Sequence, residues 1–119
     1  MSDVPLEVSW EQVLAFRLER QFLRDRAPAG SVLGVASALC GVRAQLPSTA
    51  ELSLWARVAG LQQGEVKQAL EQDRTMVKTW IRDRLHGIPS DDLAMYTGAL
   101  YPRPDGPGDA WLRLRGHRC

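Results

Sequence analysis

The sequence has no apolar run long enough to cross a membrane and no recognisable targeting segment. A membrane-spanning helix needs roughly 18 or more consecutive apolar residues, and no stretch of the chain approaches that length. The N-terminus lacks the basic and then apolar stretches of a signal peptide. We therefore expect no membrane partner and a cytoplasmic protein.

Residues that build disulfides and metal sites are also scarce, with two cysteines and two histidines in 119 residues. Cys40 lies in an apolar helical segment and Cys119 is the last residue, so a disulfide would have to tie the core to the chain end. We expect no disulfide. Because no close cysteine pair accompanies the histidines, metal binding has no support. We expect no metal and no other cofactor.

Charge of one sign is limited, since the net charge is only +1. This argues against a protein coated in basic residues for nucleic acid. The balance differs along the chain, however: residues 1–73 carry 7 basic and 9 acidic side chains, and residues 74–119 carry 8 basic and 5 acidic ones. Positive charge is concentrated in the second part, especially at Arg74, Lys78, Arg82 and Arg84.

The remaining composition, 45% hydrophobic and 24% charged, is that of a globular protein. The first part of the chain shows helical patterns. Ser9 and Gln12 form a capping box, which predicts a helix from about Trp10 to Arg26 with one apolar stripe. A second helix is predicted over residues 32–39, where small apolar residues without any charge indicate burial on all sides.

A third helix is predicted after Pro47, with Ser48 and Glu51 as its capping box and Gly60 as its end. A fourth is predicted over residues 64–72 from apolar i, i+3 and i+4 spacing. Two tryptophans on apolar faces, Trp55 and Trp80, are expected to anchor the core rather than to stack on bases.

The pattern changes after Asp73, because residues 75–81 favour strands and a second short run, residues 84–88, follows a polar step. These runs predict a two-stranded hairpin, followed by a last helix after Pro89. Prolines and glycines from residue 101 onwards indicate that residues 101–119 form an irregular tail.

Helices followed by a hairpin indicate an α+β protein, mainly α with a small β-hairpin. We predict a single winged helix-turn-helix unit over residues 1–100. In such folds one helix enters the major groove of DNA, and basic side chains on the hairpin reach the backbone or the minor groove. Double-stranded DNA is therefore the expected partner.

Four segments, in this order and spacing, resemble one bacterial family: residues 40–45 (Cys-Gly-Val-Arg-Ala-Gln), 50–57, 73–80 and 85–86. The family is that of the winged helix DNA-binding domain-containing proteins, which includes DNA glycosylases of the AlkZ and YcaQ type that unhook alkylation damage and interstrand crosslinks. The resemblance covers roughly residues 8–100. It implies alkylated or crosslinked DNA as the partner.

Family members are about three times longer and contain tandem winged-helix units. Because this chain resembles only the first unit, and residues 101–119 do not resemble the continuation, we expect a truncated or inactive member. The missing units on a separate chain are then a second candidate partner.

The resemblance also implies a catalytic position at residues 43–45. Glycosylase members carry Gln-x-Gln or Gln-x-Asp there, and a related branch carries His-Ala-Gln. Gln45 matches the second catalytic position, and Arg43 replaces the first. Such a pair would position water and stabilise positive charge on the sugar. A guanidinium only donates hydrogen bonds and is always charged, so Arg43 would oppose that charge and argues against catalysis.

Each candidate residue also has a structural interpretation. Gln45 can satisfy backbone groups at a helix entry, Arg43 can be a solvated loop residue, and His86 fits a packed strand position better than a proton shuttle. The basic residues can be ordinary solvated charges, although their place in the predicted DNA-facing elements favours phosphate contact. The candidate DNA-binding residues are Arg57, Arg74, Lys78, Arg82, Arg84 and His86.

Three functions are consistent with the sequence. The first is a DNA-binding module related to the glycosylases and inactive alone. The second is an active glycosylase in base-excision repair, in which Gln45 alone orients water. The third is a protein-interaction fragment or relict whose exposed apolar face once met the missing units.

Overall fold

A computed structural model describes residues 3–100, which form five α-helices, one 3₁₀ turn and a three-stranded antiparallel sheet. The α+β class predicted from the sequence is confirmed. The predicted tail and Cys119 lie outside the described residues. The elements are α1 (Trp10–Arg20), α2 (Val32–Ala38), β1 (Val42–Arg43), α3 (Pro47–Trp55), α4 (Glu65–Glu71), β2 (Met76–Ile81), β3 (Arg84–Pro89), the 3₁₀ turn (Ser90–Asp92) and α5 (Leu93–Leu100).

The sheet contains the predicted hairpin and one additional strand. Strands β2 and β3 pair along their whole length, and β1 pairs with the other edge of β3, giving the order β1-β3-β2. The predicted sheet had only the two strands of the hairpin, so a strand at Val42 and Arg43 was not expected. A strand of two residues is too short to show alternation, so only its partner strand defines it.

Buried side chains lie on both faces of this sheet. Because side chains alternate along a strand, Val42, Ala44 and Met76 share one face, where they join a buried core with residues of α2, α3 and α4. Ile81, His86 and Ile88 project from the opposite face and are also buried. Helix α2 contacts β3, and α5 contacts β2. The hairpin therefore carries buried side chains on both of its faces.

Helix α1 differs from the prediction in length and in packing. The capping box at Ser9 and Gln12 is present, but the helix ends at Arg20 rather than near Arg26, because Phe22 adopts a left-handed φ of 56° and packs against the core. No residue of α1 is buried, and the side chain of Trp10 is 83% exposed. Its apolar stripe faces no core within the described residues.

The two tryptophans are not core anchors, contrary to the prediction. The side chains of Trp55 and Trp80 are 51% and 52% exposed, and the Arg26 guanidinium lies 4.8 Å from the Trp55 ring centroid. The core is built instead from smaller residues such as Leu54 and Val58. A tryptophan on an apolar stripe of a helix or strand can lie at the edge of the stripe. Sequence periodicity does not distinguish the edge of the stripe from its centre.

Two local predictions for α2 and α3 were also wrong. Helix α2 buries Val32, Val35 and Ala36 but leaves its other face exposed. Helix α3 begins at Pro47 without a side-chain cap, and Glu51 accepts a hydrogen bond from the backbone N–H of Gly64 instead of closing a capping box. Proline at the first helical position needs no donor partner, which moves the helix start ahead of Ser48. Among residues 3–100, no helix is long and apolar enough to cross a membrane.

The hairpin turn has a two-residue loop in which both residues are left-handed. Arg82 has a φ of 50° and Asp83 a φ of 59°, the pattern of a type I′ turn. Glycine at the second position of this turn removes the clash of Cβ with the backbone. We expect Asp83→Gly to raise the free energy of unfolding by about 0.5–1 kcal/mol, measured by urea denaturation.

A matched control is Asp91→Gly, which removes the same side chain from an exposed position without a positive φ. It should give no gain, because glycine there only adds freedom to the unfolded chain. Equal effects of the two substitutions would contradict the turn assignment.

Candidate nucleic-acid interface

The segment that carries Arg43 and Gln45 is fixed to the hairpin by strand pairing. Val42 lies opposite Gly87 and Arg43 opposite His86, and the backbone N–H of Ala44 donates to the Leu85 carbonyl at 2.9 Å. Gln45 follows one residue beyond this bond and is exposed. Residues directly opposite in an antiparallel pair project from the same face, so Arg43 and His86 are neighbours.

The chain enters β1 through two left-handed residues, Cys40 with a φ of 57° and Gly41 with a φ of 93°. Gly41 is buried against the sheet: a Cβ there would lie 3.0 Å from Ile88 Cγ2 and 3.2 Å from His86 Cβ. Only glycine combines this φ with this close approach. The turn therefore determines where Arg43 and Gln45 lie.

Basic side chains from β1 and the hairpin turn surround one open pocket of about 460 Å³. We call it the wing pocket, and its lining residues are Arg43, Arg82, Asp83, Arg84 and His86. Three arginines and one aspartate thus line the same pocket. The structure brings together Arg43, which resembles a catalytic position, and three of the predicted DNA-binding residues.

His86 is 4% exposed and connects the two ends of the hairpin turn. Its Nδ1 lies 2.9 Å from the Arg84 carbonyl oxygen, which only accepts, so Nδ1 donates. Its Nε2 lies 3.4 Å from Arg82 Nη2, which only donates, so Nε2 accepts. Both ring nitrogens of His86 are therefore engaged in hydrogen bonds, and the ring is buried. This arrangement fits a packed strand residue better than a proton shuttle.

The arginines of the turn are held by backbone carbonyls. Arg82 Nη2 donates to the Cys40 carbonyl at 3.2 Å, and Arg84 Nη1 donates to the Asp83 carbonyl at 2.8 Å. Near this point, burial raises the pKa of the Tyr96 hydroxyl above its ordinary value, and a hydrogen bond with the Cys40 side chain acts in the same direction. Tyr96 therefore stays neutral, and the turn at Cys40 is joined to the hairpin by the Arg82 hydrogen bond.

Lys78 and Arg74 lie in a different place from the wing pocket. They line a groove of about 540 Å³ between α3, α4 and β2, here called the α4 groove, together with Lys67, Glu51 and Glu71. Lys78 pairs with Gly87 and shares the face of Met76, whereas Arg84 and His86 project from the other face. The hairpin thus carries basic groups on both faces.

Lys67 is a basic residue of this groove that the sequence analysis did not select. It is a single lysine on α4 with no sequence signal that sets it apart from other solvated charges, and only the fold brings it beside Arg74 and Lys78. Arg57 lies apart from both basic sites: its Nη1 donates to the carbonyl and hydroxyl oxygens of Ser53 at 2.8 and 3.1 Å, and the side chain is half-buried. Among residues 3–100, no three histidine, cysteine, aspartate or glutamate side chains are grouped as metal ligands would be.

Comparison with known proteins connects this geometry to DNA repair. The family model of AlkZ-like DNA glycosylases matches residues 36–118. An interstrand DNA cross-link repair glycosylase of Streptomyces sahachiroi is 33% identical over 112 residues. The solved structure of the Streptomyces sahachiroi DNA glycosylase AlkZ superimposes with a TM-score of 0.72 at 33% identity.

The alignments cover most of this chain but only a small part of each relative. Each alignment includes 93% of this chain but 30% of the relative, so the chain spans about a third of their length. The family match reaches residue 118 and includes most of the Pro/Gly-rich segment. The expectation that residues 101–119 do not resemble the family was therefore wrong.

The turn at Gly41 gives a stability prediction for the site. We expect Gly41→Ala to lower the free energy of unfolding by about 2 kcal/mol, because alanine at this φ is strained and its Cβ meets Ile88 and His86. Gly34→Ala is the control, since α2 leaves open space there and alanine favours a helix by about 1 kcal/mol. Thermal or urea unfolding of both variants measures the difference. A Gly41→Ala variant as stable as Gly34→Ala would contradict the described turn.

Proposed function

Because the chain belongs to the AlkZ-like DNA glycosylase family, we propose that residues 3–100 form a DNA-binding winged-helix unit related to DNA repair glycosylases. The order of elements supports this assignment: helices α2 and α3 precede a hairpin, as in a winged helix-turn-helix. The bound DNA is double-stranded, with crosslinked duplex as the form that the named relative suggests and alkylated duplex as the form that the sequence resemblance implies.

One observation carries the proposal. Strand β1 brings Arg43 to the hairpin turn, so that three arginines from two separate parts of the sequence line the same pocket. Arginine is suited to phosphate because its planar group donates several hydrogen bonds in a fixed geometry. A net charge of only +1 is compatible with DNA binding when the positive groups are grouped in this way.

The two faces of the hairpin support a specific arrangement on DNA. Lys78 lies on one face and Arg84 on the other, so a hairpin placed in a groove would direct them toward opposite phosphate backbones. Neither residue shares a described hydrogen bond with the other. Their contributions to binding are therefore expected to be independent.

We expect Lys78→Ala and Arg84→Ala each to weaken binding to duplex DNA. Each should also make the negative slope of log association constant against log salt concentration less steep by about 1. The double variant should make this slope less steep by about 2, since each residue releases its own counterion. Fluorescence anisotropy with a labelled duplex at several salt concentrations measures the slopes. Arg24→Ala is the control, because Arg24 is exposed and lies between α1 and α2, outside both basic sites; this variant should keep the wild-type slope. Absence of binding at low salt would overturn the proposal.

We further propose that the unit releases no base by itself. By the sequence resemblance, Arg43 replaces the glutamine of the glycosylase motif, and its neighbours Arg82 and Arg84 add positive charge. Positive charge raises the energy of an oxocarbenium-like sugar, since like charges repel.

An active glycosylase is the second candidate, because Gln45 is exposed at the end of β1 and accessible to DNA. The two candidates differ in an assay for abasic sites on alkylated and crosslinked duplex. We expect wild type and Gln45→Ala to give the same background level. Abasic sites formed by wild type and lost in Gln45→Ala would establish the enzyme instead.

A further inference from the structure

We propose that the wing pocket is a phosphate-binding site in which Arg43 contacts the phosphate group, so that the position matching a catalytic residue serves DNA binding instead. This inference rests on the proposed function and extends it to one chemical group of the DNA. The pocket would take a phosphate oxygen between the guanidinium groups of Arg43, Arg82 and Arg84.

Strand register supports the convergence of these groups. Arg43 lies directly opposite His86, and Arg84 is two residues before His86 on the same face of β3. Diagonal neighbours of this kind are about 7–8 Å apart, within reach of long side chains. Arginines from the edge strand and from the turn can therefore donate to one phosphate from two sides.

The pocket is also held in place before any ligand binds. His86 is buried and bonded at both ring nitrogens, to the Arg84 carbonyl and to the Arg82 guanidinium. Arg82 is bonded in addition to the Cys40 carbonyl, across the turn that leads into β1. Less side-chain freedom is then lost on binding than for separate surface arginines.

The chemistry of Arg43 fits this assignment better than catalysis. Positioning an attacking water requires an acceptor, and a guanidinium has none. A phosphate requires donors and positive charge, which a guanidinium supplies in a bidentate arrangement. Among residues 3–100, Asp83 is the only acidic residue that lines the pocket, and three arginines line it with Asp83.

The first test compares Arg43→Gln with wild type in the anisotropy assay. Glutamine removes the positive charge and keeps a polar side chain at this exposed position of β1. We expect the negative slope of log association constant against log salt concentration to become less steep by about 1, and the affinity at low salt to fall. An unchanged slope would overturn the inference, even where wild type binds DNA and the proposed function stands.

A second test uses inorganic phosphate without DNA. At constant ionic strength with chloride as the control, phosphate should shift the side-chain Nε–H resonances of Arg43, Arg82 and Arg84 in NMR spectra. Lys78→Gln, which alters the α4 groove on the other face, should leave these shifts intact. Equal responses to phosphate and chloride would contradict the site. Phosphate-specific shifts without any DNA binding would support the site and refute the proposed function.

The source of the phosphate is resolved by two duplexes of the same sequence, with and without a 5′-phosphate. If both duplexes bind equally and both lose affinity in Arg43→Gln, the phosphate in the pocket is an internal phosphodiester. Tighter Arg43-dependent binding of the phosphorylated duplex assigns a strand end. Preference for the phosphorylated duplex that persists in Arg43→Gln would place the phosphate elsewhere and overturn the inference.

Discussion

The pairing of strand β1 with β3 is the constraint on which the candidate site depends. Two residues of β1 and the Ala44 N–H bond to Leu85 are enough to set the register, and the register places Arg43 against His86. That pairing depends on the left-handed turn at Cys40 and Gly41, because any Cβ at Gly41 would meet the sheet. A short edge strand thus joins residues some forty positions apart in the sequence into one surface.

The charges of this surface underlie the proposed separation of DNA binding from catalysis. Three arginines and one aspartate suit a phosphate group, and the same charges raise the energy of a positively charged sugar in a transition state. The AlkZ-like family provides the scaffold, and in the proposal Arg43 serves phosphate contact at its exposed edge. The basic groups of the α4 groove lie on the opposite face, which gives the hairpin two charged sides.

Much of the fold was predictable from local patterns. The capping box at Ser9, the fourth helix and the hairpin all follow from residue spacing and strand propensity, and the structure confirms them. Strand β1 and the exposure of Trp55 and Trp80 were not predictable, because they depend on which distant element covers a given surface. The same reason explains the site: sequence identified Arg43, Arg82 and Arg84 one by one, but only the register shows them around one pocket, apart from Lys78 and Arg74.

The central claim is that residues 43–45 and the hairpin turn form one DNA-binding surface. An NMR titration of the ¹⁵N-labelled chain with duplex DNA at low salt tests it most directly, through the backbone amide shifts. We predict that residues 43–45 and 82–86 respond together, at the same DNA concentrations, because strand pairing makes them one surface. Shifts restricted to other parts of the chain, or a response of the hairpin without residues 43–45, would contradict the central claim.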